Sequence, residues 1–240
     1  LPDFNPDDEY LQEIKSPIFY AVQKNINIQT GQPTILDFDM QRISQRINIV
    51  FNIRTEGNIK REDLSAPIIE LSGACGRFNI ADACLDTTRL YRMAHQVQPD
   101  EFTQTGEGTY RCVVHFHTLG VIPSAAKGHL NGPGILQVAL QVSTPQLDSS
   151  GAPVLDEEGN PVKNSRYIYG AINPYDELTA AQLIEVRNGK IYLRYSKEDV
   201  NIEITTPLVI KADQIVPNDT GMGWQPHDPT NPDDDIIIEI

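Results

Sequence analysis

Apolar and polar side chains alternate most cleanly over Ile47-Asn48-Ile49-Val50-Phe51-Asn52-Ile53-Arg54. In an extended chain Ile47, Ile49, Phe51 and Ile53 share one side, and Arg46, Asn48, Asn52 and Arg54 share the other. Only Val50 interrupts the polar side. A segment written this way buries one face and wets the other, which is the habit of an antiparallel sandwich rather than of a doubly wound parallel sheet. The same signal recurs at Thr109–Leu119, where Tyr110, Cys112, Val114 and Phe116 oppose Arg111, Val113, His115 and His117. It recurs again at Ile135–Val142, with Leu136, Val138, Leu140 and Val142 on one side. Further strands are expected at Ile26–Ile28, Leu36–Met40, Pro67–Gly73, Ile191–Tyr195, Val200–Ile204, Leu208–Ile210 and Asp233–Ile240, with weaker signals at Phe78–Ile80 and Thr87–Val97. The chain is expected to be mainly β.

Two short helices complete the picture. Asn5-Pro6-Asp7-Asp8-Glu9 opens one that would run to Lys15, with a capping residue, a proline in the first turn and acids at the positive end of the dipole. The second would begin at Asn173-Pro174 or at the capping pattern Thr179-Ala180-Ala181-Gln182 and stop at Asn188-Gly189. A polar connection covers Thr55–Ser65, with at most one helical turn. Leu147–Gly151 and Asp156–Pro161 read as turns around an exposed hairpin, Ala152–Leu155. Gly120–Gly134, punctuated by Pro123, Gly128, Gly132 and Pro133, is the best candidate for a domain boundary. It divides the chain into 1–121 and 122–240.

Charge narrows the partners. Thirty-three acids against nineteen bases give a net charge of −14, a field that repels phosphate backbones and anionic headgroups, so nucleic acid is not expected. No run reaches the roughly 18 apolar residues of a membrane span. The start at Leu1-Pro2-Asp3, without Met, a basic stretch or an apolar one, fits a chain whose targeting segment was removed or never present. Cys75, Cys84 and Cys112 form no CxxC; Cys75 and Cys84 are near enough in sequence to bridge, but burial as small apolar side chains is the expected state.

Candidate chemistry is sparse. His115 and His117 fall on one side of a strand and could share a metal if His95, His129 or His227 supplied a third ligand; surface or interface histidines are the plainer reading. Asp37 with Asp39, and Asp234 with Glu239, pair acids, yet acids beside strands usually solvate or guard them. Asp233-Asp234-Asp235 fits that guarding role, and the acidic turn Asp156-Glu157-Glu158-Gly159 lacks the ligand spacing of a calcium loop. Tyr167, Tyr169, Tyr175, Tyr192 and Tyr195 would suit sugar stacking if they converged, and otherwise are ordinary strand residues. None of the common nucleophile, phosphate or zinc motifs occurs. No catalytic, cofactor or metal residue is therefore assigned, and no cofactor is expected.

One resemblance runs along the chain in order. Ser16-Pro17-Ile18-Phe19, then Arg42–Ile53, then Ile69-Glu70-Leu71-Ser72-Gly73-Ala74-Cys75-Gly76-Arg77-Phe78-Asn79-Ile80 resemble the N-terminal domain of fimbrillin-like proteins. Phe116-His117-Thr118-Leu119-Gly120, the Leu178–Leu183 helix, Trp224 and the closing Ile-rich segment are similar to the C-terminal domain of that superfamily's anchor or accessory subunits. The resemblance implies two tandem transthyretin-like β-sandwich domains. It also implies a lipoprotein exported to the outer membrane or fimbriae of Gram-negative gut and oral bacteria, touching the membrane only through a lipid anchor that this chain does not carry. Such a protein would be a non-enzymatic cell-surface adhesion or fimbrial assembly protein, contacting other subunits through strand edges. Leu1–Ile14 holds no Arg or Lys to mark a maturation cut, which favours an anchor, tip or accessory role over a polymerising stalk. The alternative is a surface module binding host or dietary glycans, and behind both stands a metal-assisted hydrolase built on His115 and His117.

Overall fold

The computed structural model describes residues 10–227 apart from 58, 131, 195–198, 212–213 and 219. The fold is mainly β. Its elements in chain order are β1 (Phe19–Tyr20), β2 (Gln41–Arg42), β3 (Gln45–Glu56), a 3₁₀ turn (Arg61–Asp63), β4 (Ile68–Asn79), β5 (Cys84–Gln96), β6 (Phe102–Gly106) and β7 (Thr109–Thr118). They continue with β8 (Leu136–Pro145), β9 (Lys163–Ile172), α1 (Tyr175–Ala181), β10 (Ile184–Arg187), β11 (Lys190–Leu193), β12 (Asp199–Lys211), β13 (Gln214–Ile215) and β14 (Gln225–Pro226).

β3 is the strand that the alternation requires: Ile47, Ile49, Phe51 and Ile53 are fully buried while Arg46 and Arg54 are exposed. It lies in the middle of a five-stranded sheet of order β13-β12-β3-β7-β6. β7 pairs with it antiparallel, Ile47 opposite Phe116 and Phe51 opposite Cys112, so the two apolar faces coincide. A seven-stranded sheet, β10-β11-β5-β4-β8-β9-β14, packs across from it, and one core cluster contains Phe51, Val114, Leu71, Met93, Leu140 and Trp224. Trp224 lies 5.1 Å from Phe51, ring centre to ring centre, and its indole N–H donates to the Thr206 carbonyl at 3.0 Å. That carbonyl sits in the bulge of β12 between Ile204 and Leu208, so the buried ring is satisfied by a backbone group that the sheet leaves over.

Both sheets draw strands from either side of the expected boundary at 121/122. β3 pairs in parallel with β12, Ile49 beside Ile202, and β4 pairs with β8, Leu71 opposite Leu136. The largest core cluster among the described residues therefore takes side chains from both sides of that boundary, and the pairings do not show the tandem pair of sandwiches that the resemblance implies. The physical reason is that a period of two fixes which face a strand buries and leaves its neighbour open. Gly120–Gly134 is not a linker but is laced into a bulge of β4: Gly134 N–H donates to Ser72 O, Ile122 N–H to Gly73 O and Cys75 N–H to Gly120 O. Gly73, at φ +84°, makes this possible, because a Cβ there would stand 2.7 Å from both Gly134 N and Ile122 O.

Other expectations shift locally. From Tyr10 to Lys15 the chain is not helical but forms a strap between the sheets: Leu11 N–H donates to Arg92 O on β5 and Ile14 N–H to His117 O on β7. The apolar Leu11, packed against the main core, outweighs the helix-capping signal. Helix α1 starts after Pro174, the earlier of the two expected positions, and ends at Gln182, so Thr179 lies inside it. Asn188-Gly189 is a two-residue hairpin between β10 and β11, both residues at positive φ, as Asn-Gly favours. Neither Ile26–Ile28 nor Leu36–Met40 is a strand. Asn5–Glu9, Tyr195 and Asp233–Ile240, including the paired acids Asp234 and Glu239, lie outside the described residues. No helix among the described residues is long and apolar enough to cross a membrane.

Candidate functional site

The outer face of the five-stranded sheet carries the polar side chains that β3, β7 and β12 turn away from the core. Register places Asn201, Asn48 and His115 side by side across three strands. The Asn48 amide donates to Asn201 Oδ1 at 2.9 Å, and His115 Nδ1 lies 2.7 Å from Asn48 Oδ1. The amide oxygen can only accept, so His115 carries its proton on Nδ1 and faces its Nε2 lone pair outward. Nε2 stands 3.7 Å from Glu101 Oε1, a distance consistent with an unprotonated nitrogen. Burial and the neighbouring Arg46 hold His115 below the usual imidazole range, against the pull of Glu101 and Glu13.

Glu101 is the hub of this row. The turn between β5 and β6 brings it back toward β5, where Oε2 accepts from Gln98 N–H at 2.7 Å and from His95 Nε2 at 2.9 Å. Burial works to raise its carboxyl, but the hydrogen bonds from His95 and Gln98 outweigh it and the group sits below the ordinary carboxylate range. Chemically this is a carboxylate held by one imidazole and one backbone N–H, with the His115 ring 3.7 Å from its other oxygen. Cys112, across the sheet and in the core, has its thiol pushed up by burial first and by Glu101 second, so it is not activated as a nucleophile. Burial likewise pushes Cys75 up to about 12. Cys75, Cys84 and Cys112 are all buried free thiols.

The histidines expected to share a metal are divided. His117 Nε2 is 3.0 Å from Ser44 Oγ beneath the strap, His227 pairs with Gln137, and His129 lies in the segment laced into β4. Only His95 approaches His115, with Glu101 between them. Among the described residues no group of three or more His, Cys, Asp or Glu is arranged to hold a metal ion. Asp37 and Asp39 lie on an exposed stretch, beside Tyr20, Val22 and Phe38. The tyrosines do not converge either: Tyr167 and Tyr169 stack on β9 at 6.3 Å, Tyr192 lies under the Arg187 guanidinium on β11, and Tyr175 opens α1.

A second feature is an open cleft of about 720 Å³ between the β4–β5 turn and the β10–β11 hairpin, lined by Arg77, Phe78, Asp82, Asp86, Thr88 and Lys190 among others. Lys190 bonds Asp82 at 2.9 Å and holds that carboxyl below its ordinary range. The cleft offers donors, acceptors and one aromatic edge. Sequence reading missed Glu101, Asn48 and Asn201, because their meeting depends on strand register; the only local signal was an acid six residues after His95 across a turn. It also missed the tandem octapeptide Leu147-Asp148-Ser149-Ser150-Gly151-Ala152-Pro153-Val154 and Leu155-Asp156-Glu157-Glu158-Gly159-Asn160-Pro161-Val162. Each copy closes a turn by its aspartate accepting backbone N–H groups, so the expected exposed hairpin is a pair of like turns. No family model, curated protein or solved structure matches this chain.

Proposed function

We propose that the protein is a non-enzymatic cell-surface adhesion or fimbrial assembly protein, serving as an anchor, tip or accessory subunit. The observation that carries this reading is the stretch 22–40. Every residue in it is exposed, Ile26, Ile28, Ile35, Leu36, Phe38 and Met40 among them, in a protein whose long strands β3, β7 and β8 bury their apolar sides almost completely. A run of exposed apolar side chains of this kind on an otherwise well-packed body is characteristic of an association site. The two-sheet body supplies a stiff mount. The fimbrillin-like resemblance supplies the setting, an exported surface protein whose partners are other subunits.

The test is display of the chain on a bacterial surface with and without residues 22–40. Loss of adhesion or of subunit recruitment on deletion, with the body still folded, is the expected result. Unchanged adhesion and recruitment would overturn the reading. A second reading, a surface glycan-binding module, is favoured by the cleft beside Phe78, where Arg77, Asp82, Asp86 and Lys190 could meet sugar hydroxyls. Calorimetric titration with host and dietary polysaccharides decides it. Saturable binding lost in Asp86→Ala would establish this reading, and the absence of binding would remove it.

A further inference from the structure

The exposed stretch is an arm closed at its base by β1 and β2, Phe19 opposite Arg42 and Tyr20 opposite Gln41, and at its tip by the turn where Gln32 N–H donates to Gln29 O. The ladder goes no further than those two pairs, and beyond them the legs 21–28 and 33–40 part around a small opening lined by Tyr20, Val22, Asp37 and Phe38. Side-chain parity explains the parting. Continuing the base register would set Val22 opposite Asp39, Gln23 opposite Phe38 and Asn25 opposite Leu36, so apolar residues would face polar ones. Ala21 opposite Met40, Lys24 opposite Asp37 and Ile26 opposite Ile35 would be matched, but that register puts Val22, Ile26 and Ile28 of the first leg on one face and Leu36, Phe38 and Met40 of the second on the other. Within one chain the base fixes this register; between two chains nothing fixes it. A register displaced by three residues brings Ile26 opposite Phe38 and Ile28 opposite Leu36, with Asn25 and Asn27 opposite Asp39 and Asp37.

We infer that the arm's occupant is the arm of a second copy of this chain, the first leg of each running antiparallel to the second leg of the other about a two-fold axis. This inference rests on the association reading above and names its partner. The contact is isologous, so each copy satisfies both legs of its partner at once. Charge favours it as well. Residues 21–40 carry Lys24 against Asp37 and Asp39, so the legs hold a net charge of only −1 on a chain whose net charge is −14. Two such chains repel each other over most of their surfaces and least where the arms meet. At its base the arm is held to the body by Tyr20, whose ring meets Phe78 at 5.1 Å, and along the first leg the Lys24 ammonium donates to Ala81 O at 3.1 Å.

Sedimentation velocity on the full chain across the micromolar range tests this. A dimer is expected, and Phe38→Asp should weaken it by at least about a hundredfold, since the charge would be buried opposite Ile26. A wild-type chain that stays monomeric, or a dimer indifferent to Phe38→Asp, would overturn the inference. The register has its own test in the double variant Ile28→Cys/Leu36→Cys. Oxidation is expected to give a covalent dimer, because these positions oppose each other only between chains; an intrachain bridge would overturn the exchange. A monomer whose adhesion still depends on residues 22–40 would end the self-pairing while leaving the association reading in place. A dimer whose adhesion ignores them would do the reverse.

Discussion

β3 and the arm are written in the same code and meet opposite ends. In β3 every second residue from Ile47 to Ile53 is apolar and fully buried; in the arm Ile26 and Ile28, then Leu36, Phe38 and Met40, repeat the period and remain between 37% and 77% exposed. The difference is neighbours. β3 lies between β12 and β7 in registers that match apolar to apolar, whereas each leg of the arm is tied at its base to a leg that matches apolar to polar. Alternation thus specifies a face, and only register decides whether that face is covered. The most forceful way to break the comparison is Phe51→Asp, which puts an unpaired charge beside Trp224 in the core. It should cost about 4 kcal/mol or more, read as a large fall in the denaturant midpoint. A variant that kept the wild-type midpoint would show that β3 is not the centre of the body.

Next in size is Gly73→Ala. This position joins the bulge of β4 to the 120–134 segment, and the added Cβ meets backbone atoms at 2.7 Å while the residue stands at φ +84°. Strain of this kind costs about 1–3 kcal/mol, and hydrogen exchange should rise first at Ile122 and Gly134, whose N–H groups donate to Gly73 O and Ser72 O. The same experiment asks whether the segment once expected to separate two domains is part of one body. If its amides exchanged freely in the wild type, the lacing would be an incidental contact.

The inward faces of β3, β7 and β8, the polar connection with its 3₁₀ turn and the buried thiols were legible from residue spacing and type alone. Partners were not. Ile49 beside Ile202 joins positions 153 residues apart, and nothing local to Val200–Ile204 distinguishes a strand that lies parallel to β3 from one that starts a separate sandwich. Gly73 and Gly134 looked like punctuation because their role is to let two backbones touch, which is visible only when both are in place. Asn188-Gly189 was a missed local signal: the pair stands between Val186 and Ile191, and its hairpin preference is stronger than its use as a helix stop. The Glu101 row shares the fate of the sheets. His115 was visible on its strand, but Asn48, Asn201 and His95 reach it through register and one turn.

That row gives the third break. His115 and His117 are both held below the usual imidazole range, burial being the largest cause for each, with Arg46 and Arg42 adding to it, while Glu101 opposes it at His115, the hydrogen bond with Ile14 at His117, and Glu13 at both. The unfolded chain therefore takes up protons first, so stability is full above about pH 6.5 and falls as pH drops below that value toward the folded imidazoles' lower range. Glu101, held low, adds a second loss at more acid pH, as its carboxyl is protonated through the folded value. Tm should decline by a few degrees across the first window, and the decline should flatten in His115→Gln/His117→Gln. A Tm that rose on acidification through this window would mean that the imidazoles are stabilised in their charged form.

The smallest expected effect sharpens the comparison most. Phe38→Asp makes in the arm the change that Phe51→Asp makes in β3: the same residue types, in the same alternating context, on an extended chain. Phe38 is 54% exposed and Phe51 is not exposed at all, so the arm variant should shift the unfolding free energy by no more than about 0.5 kcal/mol, measured below the concentration at which the chain associates. The pair of midpoints then separates what an apolar residue does for the fold from what it does for association. A Phe38→Asp variant as damaged as Phe51→Asp would place the arm inside the cooperative unit, and the exposed alternation would have to be explained as part of the body's own packing.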